Sequence, residues 1–391
     1  MVTLLLLSII YLAFISLGLP DAIFGVAWPV IREDYNLALD NAGFISVTIT
    51  IGTILSSLLS GYLIDKLGTG KITLISVGLT TLALFGFGIA PSFYWLIILA
   101  FPLGFGAGSI DTALNNYVAV HFKAHHMNWL HSFWGIGATL GPVIMSATLA
   151  LNVSWQNGYK TLSYIQLGFF ILIFLSLPLW KKHEKMNEVI VKETILEKLS
   201  FKTIIKIKGV KYSLLTFIVY CTVEFSIGLW GASYLVGART ISITLAASLI
   251  ALYFLGITIG RVLAGFVSFK LSNRQLIFYG IIVFLIASTF LLFNIPSYLL
   301  FIIFFMQGMG LAPIFPGMIH ETPVRFGKDK SQYIIGYQMA SAYIGASVFP
   351  ALFGILAKNT SLEIYPYFLL FFSILLMYIT LSLNKQTKKT A

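Results

Sequence analysis

Charged residues are scarce in this sequence. Of its 391 residues only 10% are Asp, Glu, Lys or Arg, whereas 58% are hydrophobic, and the mean hydropathy is +0.91. A soluble globule of this length cannot bury so much apolar surface, so the composition predicts that lipid surrounds most of the chain. Cysteine is almost absent as well. The single thiol, Cys221, can form no disulfide within the chain, and we expect it to serve packing.

Motifs of catalysis are also missing from the sequence. No nucleophile motif, phosphate-binding loop or cluster of metal ligands stands out, and the pair His125-His126 is too small a set of ligands for a metal site. The sequence therefore predicts a protein that is not an enzyme and needs no cofactor and no metal. Because it has no nucleotide-binding loop, we do not expect ATP to be an energy source within this chain.

Long apolar stretches make up most of the chain. Each is long enough to cross a bilayer, and each must be helical, because backbone exposed to lipid has no other way to satisfy its polar groups. The first stretch lacks a basic leader and an evident cleavage site, so we interpret it as a span and not as a signal peptide. The pattern predicts an all-α integral membrane protein with twelve transmembrane helices, near residues 3–30, 42–64, 72–90, 94–120, 129–151, 162–180, 211–238, 244–267, 276–294, 297–320, 333–356 and 364–383.

The sequence contains an internal duplication. Residues Gly52 to Lys71 reappear in altered form 204 residues later as Gly256 to Gln275, and an offset of 208 aligns Gly137 with Gly345. In so apolar a chain, tandem repeats are typical of transporters built from two parallel halves, with the substrate bound between them near mid-membrane. The predicted organisation is two pseudo-symmetric six-helix bundles joined by a basic cytoplasmic linker: residues 1–180, 181–210 and 211–391.

Basic residues predict the orientation of the chain. With a cytoplasmic N-terminus, 20 of the 25 Lys and Arg residues fall in the inward loops, the linker and the C-terminal tail. Both termini are therefore expected in the cytoplasm, in a multi-pass protein of the cell membrane. The net charge of +11 results from the basic residues of these inward segments. It does not indicate nucleic-acid binding, since the chain has no room for a folded basic domain. We expect the linker to contact anionic membrane lipids.

One segment between the second and third spans carries a family motif. The sequence from Gly61 to Lys71, GYLIDKLGTGK, resembles the signature of the major facilitator superfamily, and the resemblance extends to the twelve-span, two-half layout. It implies a cluster that latches the cytoplasmic side while the carrier faces outward. In the second half Phe269 replaces Asp65, so the ionic latch is expected to be one-sided. The predicted latch residues are Gly61, Asp65, Lys66, Gly68, Lys71 and Arg261.

Of the 14 acidic residues, only three are predicted to lie inside spans: Asp21, Asp111 and Glu224. A charge at the bilayer centre costs at least about 2.5–3.5 kcal/mol on insertion scales, so such residues usually persist for function. All three are therefore candidates for proton coupling. Asp21 follows Pro20, which is expected to kink the first span, and its carboxylate either faces a central cavity or caps the broken helix.

Polar and aromatic residues accompany these acids. Asn115 lies one helical turn after Asp111, which suits a proton or sugar site. Glu224 precedes Trp230, and an acid with a ring suits a sugar, although a buried acid that ties the seventh span to a neighbour is the alternative. The candidate substrate-binding residues are Asp21, Asn115, Asn116, His131, Trp134, Gln166, Glu224, Trp230, Gln307 and Gln338.

Within the superfamily, these embedded residues are similar to those of the fucose–galactose–glucose symporters and related glucose permeases. The likeness rests on Asp21 with Trp28-Pro29 beyond it, the acid on the fourth span, a Glu-x(5)-Trp pattern on the seventh, and the segment from Gly310 to Pro316 on the tenth. It implies proton-coupled import of a sugar or similar small polar solute by alternating access. A carboxylate on the first or fourth span would accept the proton. We expect the carrier to work as a monomer.

Two alternatives stay open at this point. The first alternative is a sodium-coupled sugar symporter, because some relatives of the similar sugar transporters use sodium. The other is a proton-driven efflux antiporter for drugs or metabolites, because the segment from Gly137 to Pro142 resembles part of an antiporter motif on the fifth span. That fit is incomplete, since Met145-Ser146 stands where the motif has a glycine pair.

Overall fold

The computed structural model describes residues 2–21, 23–37, 41–188 and 201–387. Within these ranges the regular secondary structure is helical throughout, and twelve helical segments are long and apolar enough to cross a membrane. The predicted twelve-span, all-α architecture is thus confirmed, and the protein is a multi-pass membrane protein. The central part of the predicted linker, 189–200, and the terminal residues 388–391 lie outside the described residues.

Seven helices form the first half of the chain. The first span is broken into two helices at the predicted proline, and each of the other five spans is one helix. The bounds are α1 Val2–Gly18, α2 Ile23–Asp34, α3 Ala42–Leu67, α4 Thr69–Gly88, α5 Phe93–His121, α6 Ala124–Ala150 and α7 Trp155–Glu188.

The second half begins with a short helix and then repeats the six-span pattern. Its broken span is the tenth, which divides at Ala312-Pro313 because proline lacks the backbone N–H that would continue the helix. The bounds are α8 Phe201–Ile204, α9 Val210–Gly237, α10 Ile243–Val267, α11 Asn273–Phe290, α12 Ser297–Leu311, α13 Ile314–Phe326, α14 Lys328–Asn359, a 3₁₀ turn Leu362–Ile364 and α15 Tyr365–Gln386.

The described residues group into two compact units. The first unit contains those up to Tyr117 and those from Leu130 to Glu188, and the second contains those from Phe201 onward. These units follow the two halves of the duplication with one exception. The segment Val118–Trp129, which includes the end of the fourth span and the start of the fifth, belongs to the second unit.

Repeated glycines form the same helix crossing in both units. In the first unit, a Cβ placed on Gly104 of α5 would strike the carbonyl oxygen of Ile49 on α3. In the second unit, a Cβ on Gly308 of α12 would strike the carbonyl oxygen of Tyr253 on α10. Membrane helices associate through such close backbone contacts, because lipid provides little hydrophobic drive for helix pairing. The duplicated glycines therefore make the same helix-helix contact in each unit.

Glycines also bring the broken first span against α6. A Cβ on Gly18 would strike the backbone of Trp134, and one on Gly137 would strike the carbonyl oxygen of Ile15. Gly137 belongs to the segment that resembles an antiporter motif, so its contact with α1 is a sufficient physical reason for a glycine there. The same contact places the break of the first span, and with it Asp21, beside α6.

Candidate substrate and ion site

Asp21 lies in the turn that breaks the first span. The α1 helix ends at Gly18 and α2 begins at Ile23, and the side chain of Asp21 is exposed although it lies within a candidate membrane span. The indole Nε1 of Trp134 on α6 donates a 2.7 Å hydrogen bond to its carboxylate Oδ2. A carboxylate that is accessible and yet held in place can exchange a proton or accept a hydroxyl group.

Asp111 begins a hydrogen-bonded chain of three side chains. The amide nitrogen Nδ2 of Asn115, one turn later on α5, donates to Asp111 Oδ1 at 2.7 Å and to its backbone oxygen at 2.9 Å. Since the amide NH₂ of Asn115 is the donor, its oxygen Oδ1 accepts from His131 Nε2 on α6 at 3.0 Å. All three side chains are buried. The predicted pairing of acid and amide on one helix face is thus present, and it extends to His131.

These five residues form one group in the first unit, which we call the first-half acid cluster: Asp21, Asp111, Asn115, His131 and Trp134. Asp111 lies close enough to Asp21 for the two carboxylates to repel each other when both are ionised. One acid is accessible and the other is buried in a hydrogen-bond network. A proton on either acid would relieve the repulsion, which is the chemistry that ion coupling requires.

Two further amides of the first unit were candidates for the site. Gln166 on α7 is buried and donates to the backbone oxygen of Ser16 at 3.2 Å and to the hydroxyl of Thr80 at 2.9 Å. Its Nε2 therefore joins α7 to α1 and α4. Asn116 is also buried, at 8% exposure, beside the residues of the acid cluster in sequence.

Glu224 pairs with a basic residue on the next helix. The guanidinium Nη2 of Arg261 on α10 lies 3.3 Å from Glu224 Oε1. The hydroxyl of Tyr253, also on α10, donates to the backbone oxygen of Glu224 at 3.3 Å. The sequence left open whether Glu224 binds substrate or ties the seventh span to a neighbour; the ion pair joins α9 to α10, and a binding role for Glu224 stays a prediction. Arg261, predicted as a latch residue, is 5% exposed and contacts this acid.

The remaining candidates of the second unit bond within that unit. Trp230 Nε1 donates to the backbone oxygen of Pro350 at 2.8 Å, and Gln307 donates to the hydroxyl of Ser288 at 3.1 Å. Gln338 is fully buried and exchanges hydrogen bonds with the hydroxyls of two neighbouring helices. Each of these polar groups has a partner that holds two helices together.

The family assignment follows from comparison with family models. The model of the Major Facilitator Superfamily matches this chain twice, over residues 10–236 and 212–390. The chain belongs to the Major Facilitator Superfamily. The two matches together span residues 10–390 and overlap over 212–236.

Individual relatives show what this superfamily member resembles. The glucose/mannose transporter GlcP of Bacillus subtilis is 24% identical over 358 residues, which cover 88% of this chain and 86% of GlcP. The cis,cis-muconate transport protein of Acinetobacter baylyi is 24% identical over 355 residues, which cover 85% of this chain and 82% of that protein. The structure of the E. coli fucose:proton symporter FucP has a TM-score of 0.74 at 14% identity, over 98% of this chain and 99% of FucP. At that identity the structural likeness shows the fold.

The superfamily motif lies where α3 turns into α4. Gly68 has a φ of 77°, a left-handed conformation that glycine adopts without strain, and its backbone N–H bonds to Ile64. Asp65 and Lys66 are exposed at the end of α3, and the Lys66 ammonium lies 5.9 Å from the Tyr62 ring centroid. The charged latch residues Asp65 and Lys66 are thus accessible at one end of a span. Gly61 is buried and Lys71 is exposed.

The corresponding end of α10 is covered by aromatic rings. We call this group the aromatic clasp: His125, Trp129, Phe266 and Phe269. The His125 and Phe269 ring centroids are 4.5 Å apart, and those of Trp129 and Phe266 are 5.4 Å apart. A Cβ on Gly265 would strike the Trp129 indole, so this repeat of Gly61 must be small. The phenylalanine that replaces the acid of the motif thus packs against the segment Val118–Trp129.

Sequence reasoning missed one embedded acid. Glu321 on α13 is 7% exposed and lies within the candidate span Ser297–Phe326. Its Oε2 accepts from Arg274 at 2.9 Å and lies 3.2 Å from the Nε of Arg325, one turn later. The sequence did not single out Glu321, because the predicted tenth span ended at 320, whereas α13 continues to Phe326. The spacing of Glu321 and Arg325 was the available signal, since it places both on one helix face.

Proposed function

We propose that this protein is a secondary active transporter that imports a sugar or a similar small polar solute together with protons. The observation that carries the proposal is the first-half acid cluster, in which an accessible intramembrane carboxylate, Asp21, interacts electrostatically with a second acid, Asp111. Intramembrane acids usually mark ion or substrate pathways. The name of GlcP supports a sugar as the solute, and the name of FucP supports a proton as the coupled ion.

The acids of the cluster would couple the two fluxes through their charge. Two ionised acids that interact with each other resist enclosure in a region of low dielectric constant, so a carrier that has bound sugar but no proton is costly to occlude. Proton uptake by Asp21 or Asp111 removes one charge and lowers that cost. Sugar hydroxyls bound to the same carboxylates and to Asn115 would replace water as hydrogen-bond partners. The loaded and protonated carrier then reorients more readily than the carrier with one ligand alone.

The indole of Trp134 and the imidazole of His131 would position the two acids. Trp134 restrains Asp21 through one hydrogen bond, and His131 restrains Asp111 through Asn115. Both donors sit on α6, so a movement of this helix would act on both carboxylates. We propose that sugar binding and proton binding are linked through α6 for this reason.

The cellular setting is part of the proposal. The charge distribution of the sequence supports a position in the cell membrane with both termini in the cytoplasm. We propose that a single chain is the transporting unit, since each half supplies a complete six-span bundle.

The proposal is tested by proton movement into proteoliposomes that contain a pH-sensitive dye. Hexoses, deoxyhexoses, disaccharides, muconate and lipophilic cations are added in turn to the unaltered protein and to Asp21→Asn and Asp111→Asn. We expect a sugar to evoke proton entry, and we expect the substitutions to abolish it while sugar exchange continues. Glu363→Gln is the matched control, because it removes an exposed acid.

Each other result would contradict a stated part of the proposal. Proton exit on addition of cations would identify an efflux antiporter, and proton entry with muconate alone would identify an organic acid as the solute. Sugar uptake that needs sodium and moves no proton would identify a sodium symporter. Sugar-evoked proton entry that survives both substitutions would show that the acids of the cluster are not the coupling groups.

A further inference from the structure

The proline in the first span leaves one backbone carbonyl without its usual donor. Near the end of α1 the N–H of Leu19 still bonds the carbonyl of Ile15 at 3.1 Å, as in any α-helix. The next helical bond would run from residue 20 to the carbonyl of Ser16, but Pro20 has no N–H to make it. Ser16 is fully buried, so bulk water has no access to this carbonyl. A buried carbonyl without a partner is costly, above all within a membrane.

The amide of Gln166 supplies the missing donor from another helix. Its Nε2 donates to the backbone oxygen of Ser16 at 3.2 Å and to the hydroxyl oxygen of Thr80 at 2.9 Å. The Thr80 hydroxyl itself donates to the Val77 carbonyl at 3.0 Å, so toward Gln166 it is an acceptor. Both partners are thus acceptors, which determines that the NH₂ group of the amide faces them. Gln166 is only 1% exposed, so its amide is enclosed by these helices.

The break and the glutamine occur together in the first half of the duplication and are both missing from the second. The seventh span, which repeats the first, is the unbroken helix α9, and it contains no proline. The twelfth span, which repeats the sixth, is α15, and its only glutamine is its last residue, Gln386. The packing that the two units share therefore does not require a glutamine within the sixth span. Gln166 accompanies the proline that leaves a carbonyl to be satisfied.

The break that Gln166 stabilises also carries Asp21. After Pro20, the N–H of Asp21 bonds the carbonyl of Gly18 at 3.2 Å, which closes a tight turn. This turn is held from two sides, at the backbone of α1 by Gln166 on α7 and at the carboxylate by Trp134 on α6. The direction of the carboxylate depends on where the backbone of α1 ends, and that end is what the amide fixes.

We propose that Gln166 is a positioning residue of the first-half acid cluster. Its amide replaces the N–H that Pro20 lacks and so fixes the turn that orients Asp21. Gln166 then acts through α1 and not by contact with the solute, which is a different role from the substrate binding expected from the sequence. The inference rests on the proposed function in one respect, since proton coupling by Asp21 is what makes its orientation matter.

The positioning role predicts that Pro20→Ala makes Gln166 dispensable. Alanine restores an N–H that can bond the Ser16 carbonyl, so the amide is no longer needed there. If Gln166 bound the solute, or only filled space between helices, a change at Pro20 would not alter the effect of removing its amide. The comparison therefore uses Gln166→Leu, which replaces the amide by an apolar side chain, alone and in the Pro20→Ala background.

The first measurement is stability, which needs no solute. It is the midpoint temperature at which the heated protein loses its monodisperse peak in size-exclusion chromatography. We expect Gln166→Leu to lower this midpoint, because the Ser16 carbonyl loses its donor, and to have a much smaller effect in the Pro20→Ala background. Equal effects in both backgrounds would overturn the inference. If Gln166→Leu alone does not fold, the double variant should still fold, and failure of both would overturn the inference as well.

The second measurement compares sugar-evoked proton entry with sugar exchange in the same proteoliposomes. Gln166→Leu should lower the rate of proton entry relative to that of exchange about five- to a hundredfold, the range that corresponds to one unmade hydrogen bond of a buried carbonyl. A merely structural role would lower both rates in proportion. In the Pro20→Ala background the same substitution should change the ratio of the two rates little.

Ser163→Ala is the matched control. Ser163 lies one turn before Gln166 on α7, is buried as well, and donates to the carbonyl of Lys160 at 2.7 Å within the same helix. Its removal takes a hydrogen bond from α7 without affecting α1. The midpoint temperature and the ratio of proton entry to exchange should therefore stay close to those of the unaltered protein.

The outcomes separate this inference from the proposed function. An unchanged ratio of proton entry to exchange in Gln166→Leu would overturn the positioning of Asp21, and an equal loss in both backgrounds would indicate direct contact with the solute instead. A Ser163→Ala variant that is impaired as much as Gln166→Leu would show a general loosening of α7 and overturn the inference. Absence of sugar-evoked proton entry in the unaltered protein would overturn the proposed function, and the midpoint temperatures would still decide whether Gln166 replaces the missing donor.

Discussion

The substitution Gly18→Ala adds one methyl group where α1 meets α6. The added Cβ would lie 2.8 Å from the backbone nitrogen of Ala138 and closer still to the carbonyl oxygen of Trp134. Both are backbone atoms, so they cannot rotate away, and the helices must separate by roughly 1–1.5 Å to restore an ordinary contact with the Trp134 oxygen. Overpacking costs about 1–3 kcal/mol, of which the higher helix propensity of alanine offsets about 1 kcal/mol. We expect a net loss of stability near 1 kcal/mol.

The same separation acts on the site. It would lengthen the 2.7 Å hydrogen bond between Trp134 and Asp21. A bond that stretches beyond about 3.2 Å is weak, so Asp21 would lose its restraint. We therefore expect Gly18→Ala to reduce sugar-evoked proton entry as well as stability.

A second glycine in the same span provides the control. Gly25 on α2 has no atom within 4 Å of the position of an added Cβ, so Gly25→Ala should gain about 1 kcal/mol from helix propensity alone. Stability is measured as the fraction of protein that remains monodisperse in size-exclusion chromatography after heating. The two substitutions should shift the midpoint temperature in opposite directions. A Gly18→Ala variant as stable as Gly25→Ala, with unaltered proton entry, would refute the packing argument.

Three further predictions concern the second unit. Gly265→Ala should lower the midpoint temperature of the heating assay, because the added Cβ clashes with the Trp129 indole. Adding Trp129→Ala to that variant should restore part of the loss. If the effects of the two substitutions simply add in a double-mutant cycle, this contact is contradicted. Glu321→Gln leaves the guanidinium groups of Arg274 and Arg325 without their acid and should lower the stability by about 3–5 kcal/mol. The same heating assay measures the change. A change in stability within experimental error would show that these ion pairs do not behave as buried ones. Trp230→Phe removes the bond to Pro350 and should cost about 0.5–1.5 kcal/mol with an unchanged KM for sugar exchange, so a large rise in KM would assign the ring to substrate binding instead.

The two units share their helix packing but differ in the chemistry that it carries. The first unit holds two acids that interact electrostatically, one of them accessible, whereas the second holds an acid that is paired with a guanidinium. The duplication therefore preserved the glycine contacts and not the polar residues. This difference is the reason that proton coupling is proposed for the first unit.

The amino-acid sequence by itself determined the number and type of the helices. Twelve apolar stretches predict twelve spans, because the thickness of the bilayer fixes the length of each stretch and lipid excludes any backbone structure that leaves polar groups unsatisfied. The ends of the spans were less accurate. The helix α6 begins at Ala124 and not near 129, and α13 continues to Phe326 and not to 320, since helical hydrogen bonding does not stop where hydrophobicity stops.

The sequence also identified candidate residues without identifying what they contact. The scarcity of charge singled out Asp21, Asp111 and Glu224, and the duplication singled out the glycines. Of their side-chain contacts, only the local pairing of Asp111 with Asn115 could be predicted, since residues four apart on a helix share a face.

Only the tertiary structure decided the partners that are distant in sequence. Trp134 bonds Asp21 across 113 positions, and Arg261 reaches Glu224 across 37. Such pairs depend on which faces of two helices meet, and that is set by close backbone contacts such as those of Gly18 and Gly137, summed over a whole interface. The hydrophobicity of a span says that it lies in the membrane, but in lipid it does not say which neighbour the span packs against.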